Sequence, residues 1–281
     1  NPQGQETMIH FAGAVTKNRE NDEAIGAAMA KALAGTPQHL TCGHLQMVWS
    51  GDGHGGITQH AEAGIIVALQ GAPWLAESHL DAVARRQGVP VALAEGYRTH
   101  GEKLLESIKG HFAVAFIDTE TPRVLVATDR FAARRAHVAV LDDRILFGTA
   151  LNPISAAHSR LSEVSLEAIY RYLYFYAIPS PFTAYTHISR LEPGHAYVWS
   201  PEGSHTVRYW APTFQADRGY KFETAKAGML DALEAAVKRA CQTGGTCGAF
   251  LSGGLDSSAV AGMMARQERS PCFHVSFDSD T

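Results

Sequence analysis

Apolar residues in the first three quarters of the chain occur in short, nearly continuous runs that are separated by polar turns. A run of four to eight apolar residues between turn residues is typical of a strand that is buried on both faces. The pattern therefore predicts a set of buried strands joined by hairpins. The predicted strands are residues 8–15, 65–69, 111–118, 123–129, 136–140 and 144–148.

Helix signals appear between and after these strands. They predict helices over residues 23–34, 76–87 and 102–108, and Ser165 is a suitable N-cap for a further helix. Because helices and strands mix within one segment, we expect a layered α+β domain over residues 8–211.

A polar stretch without periodicity, residues 212–220, predicts a linker at a domain boundary. Beyond it, apolar residues recur at helical spacing from Leu230 to Ala240. The strand, helix and strand that follow predict a parallel, right-handed unit. One such unit cannot bury both faces of a parallel sheet, so we expect the second domain, residues 221–281, to be incomplete as given. These three elements are predicted at residues 248–251, 257–267 and 271–277.

The charge balance is mildly acidic, with a net charge of −4 over 281 residues. Such a chain offers no basic surface for nucleic acid and no polybasic patch for a membrane. No apolar run approaches the roughly 20 residues that span a bilayer, and the start lacks the pattern of a signal peptide. Four cysteines in a chain of this length do not indicate a disulfide framework. We therefore expect a cytoplasmic protein with no nucleic-acid or membrane partner.

The hexapeptide Ser-Gly-Gly-Leu-Asp-Ser at residues 252–257 stands between the predicted strand and helix. Adjacent Gly253 and Gly254 allow positive φ and can direct successive N–H groups toward one point, while the helix aims its positive end at the same place. The motif is not a Walker A loop, because no Lys follows the glycines. It resembles the pyrophosphate-binding loop of the ATP pyrophosphatases. The alternative is an ordinary tight turn between a strand and a helix.

Motifs along the whole chain resemble the asparagine synthetase family. Residues 110–118 are similar to its "GDFAFALWD" strand, 128–131 to its "RDRFG" turn and 146–151 to its "LLFASEL" segment. Residues 188–195 resemble "I..LPPGH", and 208–210 resemble the "YW" at the end of its first domain. The resemblance implies an αββα sandwich of the Ntn, class II glutamine amidotransferase type over residues 8–211. It also implies an α/β domain of the adenine-nucleotide α-hydrolase type, incomplete here, over residues 221–281.

The sequence departs from this family at the glutaminase site. Active relatives begin Met-Cys-Gly, and the Cys thiol attacks the glutamine carboxamide, whereas Ile9 stands at that position here. An alkyl side chain cannot act as a nucleophile. The "NGEIYN" segment that forms the glutamine pocket is replaced by Leu-Gln-Gly-Ala-Pro-Trp at residues 69–74. The resemblance therefore implies a domain without the catalytic Cys and without glutaminase activity.

Other candidate residues carry weaker signals. Cys42 lies away from the N-terminus and lacks a free α-amine as its base, so we do not expect it to replace the missing nucleophile. His54 and His60 lie in a Gly-rich stretch without a carboxylate or Cys partner at ligand spacing, which favours solvated loop residues over a metal site. Asp129 and Arg130 form a charged turn that we interpret as structural.

The resemblance implies that ATP and Mg²⁺ bind at the hexapeptide. Backbone N–H groups of Gly253 and Gly254 would hold pyrophosphate, with hydroxyl hydrogen bonds from Ser252 and Ser257. Asp256 would be a Mg²⁺ ligand, since Mg²⁺ sites pair one or two carboxylates with phosphate oxygens. The backbone at Leu251 and Val275 corresponds to adenine-binding positions of the family. Further catalytic groups are expected beyond residue 281.

Three functions remain open from the sequence. The first, which we favour, is an ATP-dependent amide or lactam synthetase similar to β-lactam synthetase or lasso-peptide cyclase, in which a substrate supplies the amine. The second is asparagine synthase proper, and the third is a domain without catalysis that binds a peptide or protein. The expected partners are a small-molecule or peptide substrate and the remainder of the synthetase domain, in the same chain or as a second fragment. A homodimer is left open.

Overall fold

The computed structural model describes residues 9–17, 23–51, 55–60, 64–216, 219, 221–241, 247–267 and 270–276. The chain divides into two compact units, Asn1–Pro212 and Thr213–Thr281. Each unit is considered by itself below.

The first unit contains two antiparallel sheets, each with six strands among the described residues. The strand order is β10-β8-β9-β1-β3-β2 in one sheet, called sheet A, and β12-β11-β7-β6-β5-β4 in the other, called sheet B. The strands are β1 (His10–Thr16), β2 (Gln38–Cys42), β3 (Leu45–Ser50), β4 (Gly55–His60), β5 (Ile65–Leu75), β6 (Ile108–Asp118), β7 (Val124–Thr128), β8 (His137–Leu141), β9 (Arg144–Gly148), β10 (Ser189–Arg190), β11 (His195–Ser200) and β12 (Gly203–Arg208).

Helices lie on the outer face of each sheet. Leu80, Val83 and Leu93 pack against one face of sheet B, and Ile25 and Met29 pack with apolar residues of sheet A. The facing sides of the two sheets form a separate core between them. The first unit is therefore an αββα sandwich, as predicted. Its helices are α1 (Glu23–Ala32), α2 (Ser78–Gln87), α3 (Val89–His100), α4 (Leu104–Ser107), α5 (Leu151–Ala156) and α6 (Leu166–Phe175).

The layering explains why the strands read as continuous apolar runs. Ile65, Val67 and Leu69 point toward the helices of sheet B, while Ile66 and Ala68 point into the core between the sheets. Successive side chains of a strand alternate between faces, so a strand covered on both sides needs apolar residues at every position.

Several parts of the first unit differ from the sequence prediction. The helix predicted over residues 102–108 is a single 3₁₀ turn followed by the one-turn α4, and Ile108 already begins β6. Helices α3 and α5, the β2–β3 hairpin, β4, β10 and the β11–β12 hairpin were not predicted. Pro90 and Gly96 interrupt the helical pattern of α3, although Pro90 lies in its first turn, where a missing N–H is tolerated.

The second unit contains α7 (Phe222–Cys241), β13 (Ala249–Phe250), α8 (Leu255–Gln267) and β14 (Cys272–Phe273). The two strands are parallel. Val237, Ala249, Met263 and Met264 form a small core between the helices and the strands. This is the strand–helix–strand unit that the sequence predicted for the α/β domain.

Asp129 lies at the end of β7 and is 1% exposed. Its carboxylate accepts hydrogen bonds from four backbone N–H groups, those of Phe112 at 3.1 Å, Phe131 at 2.9 Å, Ala133 at 3.1 Å and Arg134 at 3.0 Å. A carboxylate buried in this way fixes the path of the turn, because each N–H would otherwise lose its partner away from water.

We predict that Asp129→Asn destabilises the first unit by about 3 kcal/mol, since hydrogen bonds to a charged group contribute roughly 1.5–3 kcal/mol and an amide cannot accept all four N–H groups. Urea unfolding followed by circular dichroism measures the change. Asp142→Asn, at an exposed turn, is the matched control and should change stability by less than about 0.5 kcal/mol. Equal stability of the two variants would contradict the structural role of Asp129.

His137 begins β8 and is almost fully buried. Neither ring nitrogen has a hydrogen-bond partner of normal geometry among the described residues. Burial lowers the pKa of His137 to about 4, and the charge of Arg190 adds to the lowering, while a backbone contact at Gly148 opposes it. His137 is therefore neutral in the folded protein at neutral pH.

The unfolded chain binds a proton at this residue near pH 6.5, whereas the folded chain binds it only near pH 4. Stability should therefore fall as the pH drops from about 7 to 4, with about 3 kcal/mol due to His137. Urea unfolding of the wild type and of His137→Phe at pH 7 and at pH 4 isolates the contribution of His137. The difference in free energy of unfolding between the two proteins should change by about 3 kcal/mol between these pH values. A difference independent of pH would contradict the lowered pKa.

Candidate functional site

The hexapeptide forms the loop between β13 and α8, at the carboxyl end of the parallel strands. Gly253 has a φ of 82°, and no atom lies within 4 Å of the position that a Cβ would occupy there. This conformation favours glycine and leaves the inside of the loop open. The N–H groups in the first turn of α8 have no partners within the helix and carry its positive end. The loop therefore fits a phosphate group.

Ser252 and Ser257 are brought together by the loop, with their hydroxyl oxygens 2.9 Å apart. The Ser257 hydroxyl also accepts from the N–H of Ser252 at 3.2 Å and donates to the carbonyl of Gly254 at 3.2 Å. Both predicted phosphate-binding hydroxyls therefore lie on the same side of the glycine pair. Their hydrogen bonds define the shape of the loop before any ligand binds.

Asp256 lies in the first turn of α8 and is exposed. Within the described ranges, no three His, Cys, Asp or Glu side chains are arranged to hold a metal ion. A Mg²⁺ ion here would therefore depend on Asp256 together with the oxygens of a bound phosphate, which is how Mg²⁺ commonly binds beside nucleotides.

Leu251 and Val275 follow the ends of the two parallel strands, next to the loop. The carbonyl of Leu251 lies 2.9 Å from Nδ1 of His274, and its N–H donates to the carbonyl of Phe273 at 2.8 Å. Val275 is 66% exposed. The backbone of Leu251 is thus already used within the unit, while Val275 is accessible. The sequence analysis did not identify His274, whose position one residue beyond β14 was the available signal.

The position of the missing nucleophile lies at the start of β1. Ile9 is buried, and its carbonyl accepts a hydrogen bond of 2.6 Å from the side-chain amide of Gln70. The amide nitrogen of Gln70 lies 3.2 Å from Nδ1 of His10. The Thr149 hydroxyl lies 3.4 Å from the same His10 Nδ1. Burial lowers the pKa of His10, and the charge of Arg134 lowers it further. These groups form a polar cluster beside the backbone carbonyl of Ile9.

Gly71 follows Gln70 directly in β5. Its φ is 106°, and a Cβ there would collide with the carbonyl of His111. The backbone at the glutamine-pocket position is therefore tightly confined, and the Gln70 side chain points to the protein's own backbone. The replaced motif is visible in the sequence, whereas the meeting of His10, Gln70 and Thr149 is seen only in the fold.

Cys42 is distant from the start of β1. In the sheet register, Cys42 pairs with Leu45, which pairs with Val15, whereas His10 pairs with Ser50. Five residues of strand therefore separate the two places, about 17 Å at the rise of an extended chain. This agrees with the expectation that Cys42 does not replace the nucleophile.

Of the two histidines in the Gly-rich stretch, His54 lies outside the described residues. His60 is the last residue of β4, where it pairs with Ile65, so its interpretation as a loop residue is wrong. Over the described part of the chain, no helix is long and apolar enough to cross a bilayer.

Two family models match the chain. The glutamine amidotransferase domain model matches residues 90–210, and the asparagine synthase model matches residues 228–281. The first match begins after β5, so it does not include the segments that carry Ile9 and Gln70.

Curated relatives agree with these matches. Asparagine synthetase 1 of Bacillus subtilis, glutamine-hydrolyzing by its name, is 26% identical over 165 residues, or 58% of this chain and 26% of that protein. Asparagine synthetase 3 of the same organism is 25% identical over 191 residues, or 66% of this chain and 31% of that protein. The chain therefore spans about a quarter to a third of the length of these relatives.

Among solved structures, this chain is similar to a glutamine phosphoribosylpyrophosphate amidotransferase of Bacillus subtilis that is complexed with ADP and GMP. The match covers 94% of this chain and 59% of the amidotransferase chain. The TM-score is 0.38 and the identity is 14%. The two-sheet sandwich, the phosphate-type loop and the two family models define an amidotransferase-like protein joined to a synthetase-type α/β domain. The two model matches and the curated relatives together support an asparagine synthetase family member.

Proposed function

We propose that the protein is an ATP-dependent carbon–nitrogen ligase that forms AMP and pyrophosphate and has no glutaminase activity. A carboxylate substrate is activated as an acyl-adenylate, and a substrate amine or ammonia then forms the amide. The observation that carries the proposal is an intact Ser-Gly-Gly-Leu-Asp-Ser loop at the carboxyl end of two parallel strands, in a chain with Ile9 at the glutaminase position.

The loop residues supply the binding groups for the nucleotide. Backbone N–H groups at Gly253 and Gly254 and the hydroxyls of Ser252 and Ser257 hold pyrophosphate oxygens. Asp256 holds Mg²⁺, which supplies positive charge against the phosphates. The adenine contacts the backbone near Val275, because the carbonyl of Leu251 is already bonded to His274. Leu251 then lies beside the adenine base without accepting a hydrogen bond from it through its carbonyl.

The nitrogen comes from the substrate rather than from glutamine. Ile9 offers no nucleophile, and the amide of Gln70 is bonded to the carbonyl of Ile9 instead of pointing to a substrate. Oxyanion stabilisation requires donors that are aimed at the developing charge. A donor that is already bonded to the protein's own backbone does not meet that requirement.

This arrangement favours a lactam or macrolactam synthetase over asparagine synthase proper, because in a lactam-forming reaction the amine is part of the substrate. Both remain members of the same reaction class. The substrate is a small molecule or a peptide, and the location is the cytoplasm. The alternative from a different functional class is a binding domain without catalysis. The complete loop motif argues against this alternative, since a domain without catalysis has no need of a phosphate-binding loop.

Asp256→Ala in the full-length protein should lower ATP–pyrophosphate exchange by about 100-fold or more, since one such electrostatic group is worth roughly 2.7–4 kcal/mol. Gly253→Val should be as harmful, because its φ of 82° excludes a branched side chain. Asp231→Ala, which removes an exposed acid on α7, is the matched control and should leave exchange unchanged. Normal ATP–pyrophosphate exchange in Asp256→Ala would contradict the assignment of Asp256 as a Mg²⁺ ligand. No exchange with any carboxylate in the wild type would favour the binding domain.

Purified protein incubated with glutamine should release no glutamate above a heat-denatured sample. Ile9→Cys should not restore release, because residue 8 blocks its α-amine and Gln70 occupies the adjacent carbonyl. Labelling by a glutamine-analogue electrophile provides a second measurement, with an active asparagine synthetase as the positive control. Glutamate release by the wild type would show that another residue acts as the nucleophile.

A further inference from the structure

His274 is the first residue beyond β14, and Leu251 is the first residue beyond β13. The two strands are parallel and adjacent, so both residues lie at the same carboxyl edge, beside the hexapeptide loop. Ligands of open α/β sheets bind outside the carboxyl ends of the strands. His274 is exposed at this edge. Its imidazole is therefore placed to contact a ligand that the loop holds.

One hydrogen bond fixes which nitrogen of the His274 ring carries the hydrogen. Nδ1 lies 2.9 Å from the backbone carbonyl oxygen of Leu251. A carbonyl oxygen only accepts hydrogen bonds, so Nδ1 must be the donor. In the neutral ring, Nε2 then has no hydrogen and is an acceptor. Within the described part of the unit, Nε2 forms no hydrogen bond, so this acceptor is open to a ligand.

The same contact uses the backbone that would otherwise face the ligand. The carbonyl of Leu251 accepts from His274, and its N–H donates to the carbonyl of Phe273 at 2.8 Å. Val275, the residue after His274, is 66% exposed, and its backbone has no hydrogen-bond partner among the described residues. His274 thus presents a side-chain acceptor between a backbone that is already bonded and one that is open.

An acceptor at this edge distinguishes purine bases by the group at their 6-position. Adenine carries a 6-amino group, which donates, whereas guanine and hypoxanthine carry a 6-oxo group, which only accepts. Nε2 can pair with the amino group, but it would face a lone pair of the oxo group. A site whose polar group is left unpaired by an analogue rejects that analogue strongly.

We propose that His274 determines the base specificity of this protein by accepting a hydrogen bond at Nε2 from the 6-amino group of adenine. The carbonyl of Leu251 holds the ring in the tautomer that makes Nε2 the acceptor. This inference rests on the proposed ATP site at the hexapeptide loop. His274 contacts the base and not the reacting phosphate, so it sets which nucleotide binds and does not carry the chemical step.

The experiment measures the dissociation constants of ATP and of inosine triphosphate, whose base is hypoxanthine, for the full-length protein with Mg²⁺ by calorimetry. The wild type should bind ATP at least about tenfold more tightly, because the 6-oxo group leaves Nε2 unpaired. In His274→Phe, which keeps a ring but has no acceptor, the ratio of the two constants should fall to within about threefold. Circular dichroism confirms that the variant remains folded.

His274→Gln separates hydrogen bonding from the loss of the ring. A Gln side chain presents either its oxygen or its NH₂ group by turning the amide, so it can pair with a 6-amino or a 6-oxo group. Inosine triphosphate should therefore bind more tightly to this variant than to the wild type, and the preference for ATP should largely disappear. His205→Gln, at an exposed histidine of β12, is the matched control and should leave both dissociation constants unchanged.

The ratio of the two constants separates base reading from a structural role. If His274 only joined the two strand ends, its variants would weaken both nucleotides by the same factor, and the unchanged ratio would overturn the inference. Equal binding of the two nucleotides by the wild type would overturn it as well, while leaving the nucleotide site in place. A wild type that binds neither nucleotide would contradict the proposed function itself, and the inference with it.

Discussion

The buried carboxylate of Asp129 stands where the chain passes from sheet B to sheet A, and the sandwich depends on it. It binds the N–H groups of the turn after β7 and that of Phe112 in β6. The backbone carbonyl of Asp129 accepts a hydrogen bond from the N–H of Gly194 at 3.0 Å, where the chain returns from sheet A to sheet B. The Tyr209 hydroxyl closes the same region by donating to the carbonyl of Thr128 at 2.6 Å. One residue thus contacts both crossings between the layers, the first through its carboxylate and the second through its backbone carbonyl.

The two candidate sites differ in the space beside their polar groups. At the start of β1, the Gln70 amide and the Thr149 hydroxyl bond to the protein's own backbone, and the residue between them is an isoleucine. At the loop before α8, Gly253 keeps its inner side open and the hydroxyls of Ser252 and Ser257 gather beside it. The hydroxyls of Ser252 and Ser257 also bond within their loop, so the two sites differ in the open space beside Gly253 rather than in free donors. This open space supports the proposed nucleotide site.

The first unit has a rigid frame that does not depend on a nucleophile at residue 9. The frame is provided by the sandwich, in which β5 and β6 pair over eleven residues and are covered on both faces. Ile9 and Gln70 are buried within it.

The sequence by itself determined strands β1 and β5–β9, the cap at Ser165 and the Gly-Gly loop before α8, because each depends on residues that are neighbours along the chain. Helix α3 was missed because Gly96 looks like a helix breaker. In the fold its missing side chain lets Leu80 and Leu104 approach, where a Cβ would lie within 3 Å of each. The contact of Gln70 with Ile9 joins residues 61 positions apart. Only the stacking of the layers decides such contacts, because local pattern carries no information about distant partners.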